Sequence, residues 1–218
     1  MNTTAPIAEI LELSPVMPVV TIEDAATAPD IARALVRGGI RVIEVTLRTP
    51  QALRAIEAIA AQVPEICVGA GTVMSPADLA LAAKAGAAFA ISPGATRELL
   101  AAGASFRIPY LPGVATGSEL MSALAAGYRH FKLFPANVAG GLGALKAFSG
   151  PFPEARFCPT GGVTPQTAGS YLELQNVLCV GGSWLTPEDS IKAGDWARIE
   201  TLAREAAALR PTRVTARS

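Results

Sequence analysis

Short β-branched runs alternate with Ala- and Leu-rich stretches of helical period along the chain, and the alternation repeats eight times. The strand candidates are Met17–Ile22, Arg41–Leu47, Cys67–Ala70, Ala88–Ile91, Arg107–Leu111, His130–Phe134, Arg156–Cys158 and Val177–Val180. The amphipathic stretches between and after them are Asp30–Arg37, Ala52–Gln62, Ala77–Lys84, Glu98–Ala102, Ser118–Ala125, Ala144–Phe148, Gln166–Tyr171 and Trp196–Leu209. Strands that alternate with helices imply right-handed βαβ crossovers and a parallel sheet. Eight such units in 218 residues predict a closed (β/α)8 TIM barrel forming a single domain over residues 1–218. Ile7–Leu13 precedes the first strand and is expected to be an extra N-terminal helix that caps the bottom of the barrel. The alternative is an open doubly wound sheet. The absence of a G-x-G-x-x-G after the first strand weakens it.

Strand ends run straight into small or turn-forming residues: Gly69-Ala70-Gly71-Thr72, Ser92-Pro93-Gly94, Pro112-Gly113, Thr160-Gly161-Gly162 and Gly181-Gly182-Ser183. Such loops form the C-terminal face of a barrel, where barrel enzymes place their chemistry.

Composition narrows the functional classes. Net charge is zero and no basic stripe is present, which argues against a nucleic-acid partner. Apolar stretches are broken by charge, Gly or Pro well before the roughly 18 residues that a membrane span needs. No secretory signal is read in Met1–Leu13. Cys67, Cys158 and Cys179 lie in apolar segments, as expected of reduced, buried thiols in a cytoplasmic protein. One histidine and no C-x-x-C make a metal site unexpected. Charged residues make up 17%, against about 25% in an average soluble domain, so surface buried between subunits is expected.

Two strands carry charge where a parallel strand should be unbroken apolar sequence. In Arg41–Arg48 the period of two puts Ile43, Val45 and Leu47 on one face and Glu44, Thr46 and Arg48 on the other. The polar face would point into the barrel, where an unpaired carboxylate or guanidinium is costly. An ion pair bracing the interior explains it as well as a functional site does. The second strand, His130-Phe131-Lys132-Leu133-Phe134, places a lysine in the middle of an apolar run. Lys132 either pairs with Glu44 or serves as a nucleophilic amine. A free lysine titrates near 10.4 and is a poor nucleophile at neutral pH. Desolvation and a nearby cation, here Arg48, favour the neutral amine. His130 lies two residues earlier, toward the closed end of its strand, and is read as structural.

The loops Thr160-Gly161-Gly162 and Gly181-Gly182-Ser183 follow the last two strands. Paired glycines let backbone amides approach an anion, and barrels often bind phosphate in these two loops. Neither loop contains Lys or Arg, so phosphate would rest on backbone amides and Ser183.

These segments resemble the 2-keto-3-deoxy-6-phosphogluconate (KDPG) aldolase family, which includes the bifunctional 4-hydroxy-2-oxoglutarate (KHG) aldolases. The resemblance rests on Pro15–Val19, Glu44–Thr49, Val68–Val73, Phe89–Gly94, Phe131–Ala136, Arg156–Gly162 and Gly181–Leu185, in order along the chain. It implies a lyase of the Entner–Doudoroff route that needs no cofactor. It implies that Lys132 forms an imine with a 2-keto acid and that Glu44 carries protons. Arg48 and Thr72 would hold the pyruvate carboxylate, and Pro93 would line the pocket. Phosphate would lie on Gly161, Gly162, Gly182 and Ser183, with Thr160 nearby. Members are similar in forming homotrimers. Asn137–Ala139 and the tail after Leu209 look variable. Three other readings remain open: the same chemistry on the galactonate epimer or on KHG, a phosphosugar isomerase or epimerase, and a non-catalytic phosphosugar-binding barrel.

Overall fold

The computed structural model describes residues 5–209. Residues 1–4 and the C-terminal tail after Leu209 lie outside the described residues. The expected helix before the first strand is α1 (Ile7–Glu12). The chain then runs β1 (Val16–Val20), α2 (Ala28–Arg37), β2 (Val42–Thr46), α3 (Ala52–Gln62), β3 (Cys67–Gly71), α4 (Pro76–Lys84), β4 (Phe89–Ile91) and α5 (Arg97–Ala104). It continues through β5 (Tyr110–Leu111), β6 (Gly113–Val114), α6 (Gly117–Ala125), β7 (His130–Leu133), α7 (Gly141–Phe148), β8 (Arg156–Pro159) and α8 (Pro165–Leu172). The last elements are β9 (Val180–Gly182), α9 (Glu188–Ala193) and α10 (Trp196–Ala207).

Every strand pairing is parallel. The strands form a six-stranded sheet, a half-barrel ordered β5-β4-β3-β2-β1-β9, and a three-stranded sheet ordered β6-β7-β8. Two isolated parallel bridges, Phe157 to Val177 and Thr160 to Gly181, join the β8 and β9 segments.

Three expectations change. The strand expected over Arg107–Leu111 is confined to Tyr110–Leu111, and Gly113–Val114, expected in the following loop, forms a second short strand beyond Pro112. Proline has no N–H to donate, so the ladder breaks there. Its carbonyl still accepts from Lys132 N at 2.9 Å. The strand expected at Val177–Val180 starts only at Val180, because Val177 N closes a turn onto Leu174 O at 3.0 Å. And α9 has no counterpart in the sequence reading. It has only six residues, fewer than two turns, so it shows no helical repeat.

Alternation along β2 sorts its side chains. Ile43 and Val45 join the main core, with α2, α3 and their neighbours. Val42 joins a second buried cluster with Met17, Phe89, Ile91, Leu111, Cys158 and Cys179. Ile10 and Leu11 of α1 belong to that second cluster, which is how the first helix caps one end of it. Glu44 and Thr46 follow Val42 in the period of two. Cys158 and Cys179 are buried free thiols, but Cys67 is only half-buried.

Candidate active site

Glu44 is central in β2, in register with Val19 of β1 and Gly69 of β3. Lys132 is in β7, in register with Gly113 of β6 and Cys158 of β8. The two side chains meet between the six-stranded and the three-stranded sheet. Lys132 Nζ donates to Glu44 Oε1 at 2.9 Å and to Oε2 at 3.2 Å. Glu44 is 1% exposed and Lys132 4%, so both charges are desolvated and each depends on the other. Nζ also lies 5.2 Å from the centre of the Phe134 ring. No buried side-chain nitrogen or oxygen among the described residues lacks a hydrogen-bond partner.

A glycine makes the carboxylate's position possible. A Cβ on Gly71 would fall 2.1 Å from Glu44 Oε1, so the carboxylate occupies the space that a side chain would fill. The next residue, Thr72, has φ of 61°, a left-handed conformation that is rare for a β-branched residue. Strain of this kind concentrates at functional sites. On the other side of Lys132, Gly113 lies against the Pro93 loop, since a Cβ there would fall 2.4 Å from the Pro93 carbonyl carbon. Buried Ser92 holds this contact: its Oγ is 2.5 Å from Tyr110 Oη and accepts from Gly113 N at 3.2 Å. The Cys158 thiol titrates below its usual value because it hydrogen-bonds to Cys179, which outweighs the opposing effect of burial.

A cavity of about 680 Å³ is lined by Arg48, Phe134, Thr160, Gly161, Gly162 and Ser183, together with Val19, Thr21 and residues of α9 and its flank. Arg48 does not sit on the strand, because β2 ends at Thr46. It is an exposed turn residue whose guanidinium joins no ion pair among the described residues. Gly161 and Gly162 have φ of 96° and 76°, a conformation that glycine adopts without strain. The chain after β7 braces their loop: Ala136 N donates to Thr160 O at 2.8 Å and Asn137 N to Gly161 O at 3.1 Å. The Asn137 side chain fills the space a Cβ on Gly162 would need. Asn137, in a stretch that looks variable in sequence, is therefore part of the loop's support.

Of the expected site residues, the structure brings Arg48, Thr160, Gly161, Gly162 and Ser183 to the cavity wall, and buries Lys132 against Glu44. Thr72, Pro93 and Gly182, like Lys132 and Glu44 themselves, are not among the residues that line this cavity; Lys132 lies behind Phe134, which does line it. Gly182 lies in β9 under the Trp184 ring, 2.0 Å from where its Cβ would be. Sequence reasoning missed Ser92, whose partners lie on β5 and β6, and Asn137, whose partners lie in the loop after β8, and it missed the α9 wall. His130 lies at the start of β7, away from the cavity, as expected. Among the described residues, no group of three or more His, Cys, Asp or Glu is placed to hold a metal ion.

An amine and a carboxylate in contact, buried beside an open cavity with a free guanidinium and a glycine-rich wall, suit covalent chemistry on a carbonyl compound carrying anionic groups. Comparison with known proteins agrees. A family profile described as "KDPG and KHG aldolase" matches residues 7–202. A 2-dehydro-3-deoxy-phosphogluconate aldolase of Pseudoalteromonas atlantica is 52% identical over 92% of this chain and 93% of its own. The KHG/KDPG aldolase of Escherichia coli K12 is 54% identical over 90% of this chain and 92% of its own. The KDPG aldolase of Legionella pneumophila, solved with pyruvate captured at low pH as a covalent carbinolamine intermediate, superposes with a TM-score of 0.91. It is 49% identical, over 93% of this chain and 98% of that one. With its profile matched almost end to end and relatives near half identity, this chain belongs to the KDPG and KHG aldolase family.

Proposed function

We propose that this protein is a class I aldolase that cleaves KDPG to pyruvate and glyceraldehyde 3-phosphate through an imine on Lys132. The observation that carries the proposal is the buried contact between Lys132 Nζ and Glu44 at 2.9 Å. Proton transfer across that contact leaves a free amine and a protonated carboxyl, the pair of states the first step needs.

The amine adds to the C2 carbonyl, and Glu44, directly or through a water, supplies the proton with which hydroxide leaves the carbinolamine as water. The iminium is then an electron sink. Glu44 or its water takes the proton from the C4 hydroxyl and the C3–C4 bond breaks. The electron pair moves into an enamine of pyruvate while the aldehyde departs. Protonation at C3 and hydrolysis release pyruvate and restore the amine. The iminium does the work that a Lewis-acidic metal would otherwise do. In this reading Arg48 and Thr72 hold the carboxylate of the pyruvate half and Pro93 borders it. Thr160, Gly161, Gly162, Gly182 and Ser183 receive the phosphate. KHG is a second substrate of the same chemistry, supported by the bifunctional family profile.

The architecture belongs to the same proposal. The two sheets are arcs of one closed (β/α)8 barrel in a single domain over residues 1–218. Three features support this: β5 and β6 are separated by Pro112 alone, bridges link β8 to β9, and the Lys132–Glu44 contact spans the two sheets. The protein acts in the cytoplasm as a homotrimer, consistent with its 17% of charged residues.

The test is to incubate the protein with pyruvate, reduce with borohydride and map the adduct by peptide mass spectrometry. A permanent adduct on Lys132 is expected. Its absence, alongside intact fold, sinks the aldolase and leaves the isomerase and binding-protein readings.

A further inference from the structure

The cavity has a second polar wall that the reaction described so far does not use. The segment after β1 brings Glu23 and Asp24 to it, and α9 brings Glu188 and Lys192. Charged side chains around the cavity are therefore Arg48 and Lys192 against Glu23, Asp24 and Glu188, two cations and three anions, or 2 − 3 = −1. A substrate with a phosphate dianion enters against that balance. Backbone amides of the glycine loop orient a phosphate but contribute only partial charge.

Lys192 is the cation that can move. Its Nζ contacts Glu188 Oε1, one helical turn earlier. The side chains are 70% and 78% exposed. Exposed pairs at this spacing are weak, and lysine is a point charge on a flexible four-carbon stem. Asp24 is committed elsewhere, since it accepts from Ala26 N at 2.9 Å. Glu188, and to a smaller extent Glu23, keep the Lys192 ammonium charged.

We propose that Lys192 is a specificity-determining residue: its ammonium leaves Glu188 and pairs with the terminal phosphate of a substrate seated at Gly161, Gly162 and Ser183. The inference rests on the aldolase reading of the same site. Lys192, Gly161, Gly162 and Ser183 border one cavity. An unphosphorylated substrate such as KHG offers the ammonium no partner better than Glu188. Part of the preference for phosphorylated over unphosphorylated substrates thus depends on one exposed lysine on a short helix.

The test measures kcat/KM for KDPG and for KHG in the native protein, in Lys192→Met and in Glu188→Gln. In Lys192→Met the ratio of the two values should fall by about five- to tenfold, through KM for KDPG, as expected for loss of one charge-assisted contact. Glu188→Gln frees the ammonium and should lower KM for KDPG. Calorimetric titration with inorganic phosphate should show weaker binding in Lys192→Met and tighter binding in Glu188→Gln. An unchanged substrate ratio in Lys192→Met, or phosphate binding equal to native, overturns the role of Lys192. An unchanged or raised KM in Glu188→Gln overturns the exchange of partners. The pyruvate trap separates this failure from failure of the aldolase reading. Labelling of Lys132 with unaltered phosphate binding in Lys192→Met removes only the lysine's role. No labelling with weakened phosphate binding removes only the aldolase.

Discussion

A methyl group on residue 71 would overlap Glu44, so Gly71→Ala tests the carboxylate's position without touching either charged side chain. We expect kcat to fall by about a hundredfold, in line with losing a general acid–base, with the fold retained. Stopped-flow or coupled assays of turnover with circular dichroism would check it. Glu44→Gln should lose turnover similarly yet still trap some pyruvate. A variant with full activity would rule out the proton shuttle. Either single change in the pair leaves a buried partner uncompensated, at about 3–5 kcal/mol, so Lys132→Met combined with Glu44→Gln should be more stable than either alone. Urea unfolding of the four proteins measures this. Arg48→Lys should weaken pyruvate binding because the planar fork is lost. The two central charges were legible from sequence because a charged residue inside an apolar strand violates the pattern around it. Arg48 was legible only in part: extending the period of two past Thr46 named a residue of the cavity wall but put it on a strand that had already ended. Gly71 was invisible in this role, since its contact is with the neighbouring strand and a glycine-rich strand end reads as a turn.

Whole elements were legible in proportion to their length. The pattern located α3 to the residue, over Ala52–Gln62, whereas the six-residue α9 left no periodic signal. Proline separates β5 from the two-residue β6, which is too short to be read from sequence and lies where a loop is expected. Side chains cap several helix starts, as in the reciprocal bonds between Ser75 and Asp78 at α4. At the other end of the strands, α1 contributes Ile10 and Leu11, 2% and 0% exposed, to the inner cluster. Leu11→Ala should cost about 2–5 kcal/mol in urea unfolding, through the cavity it leaves. His130 opens β7 at that same end. Burial lowers its pKa, and the nearby Arg156 adds to this, while Glu12 opposes both. The unfolded chain therefore takes up the proton first as pH falls. The neutral imidazole's contribution is complete above the unfolded value of about 6.5 and is lost as pH drops from there toward the folded value. Replacing His130 with Gln should shrink the loss of unfolding free energy between neutral and mildly acidic pH, read from denaturation curves at each pH.

At the scale of the whole molecule, a trimer of 22.4 kDa chains should emerge from light scattering at about three times that mass. Which surface would join the copies of the proposed trimer was not readable from sequence, because apolar residues destined for a subunit contact follow the same spacing as those of the core. The substrate was not readable from the residues alone either. A lysine beside a glutamate names a reaction class, and the phosphate preference rests on glycine loops and on a mobile ion pair at the rim. The inner cluster capped by Ile10 and Leu11 has one further consequence. Packed aliphatic side chains close the capped end among the described residues, so substrate and products should share the doorway at the opposite end, where the cavity lies. The aldehyde fragment must vacate that doorway before the water that frees pyruvate can take its place, so traffic is sequential. Pyruvate, last to depart, should compete directly with substrate for the empty enzyme, whereas the phosphorylated aldehyde should inhibit without competing. The bond to Lys132 makes pyruvate the last to leave, and the closed end of the fold keeps both exchanges at the opposite face.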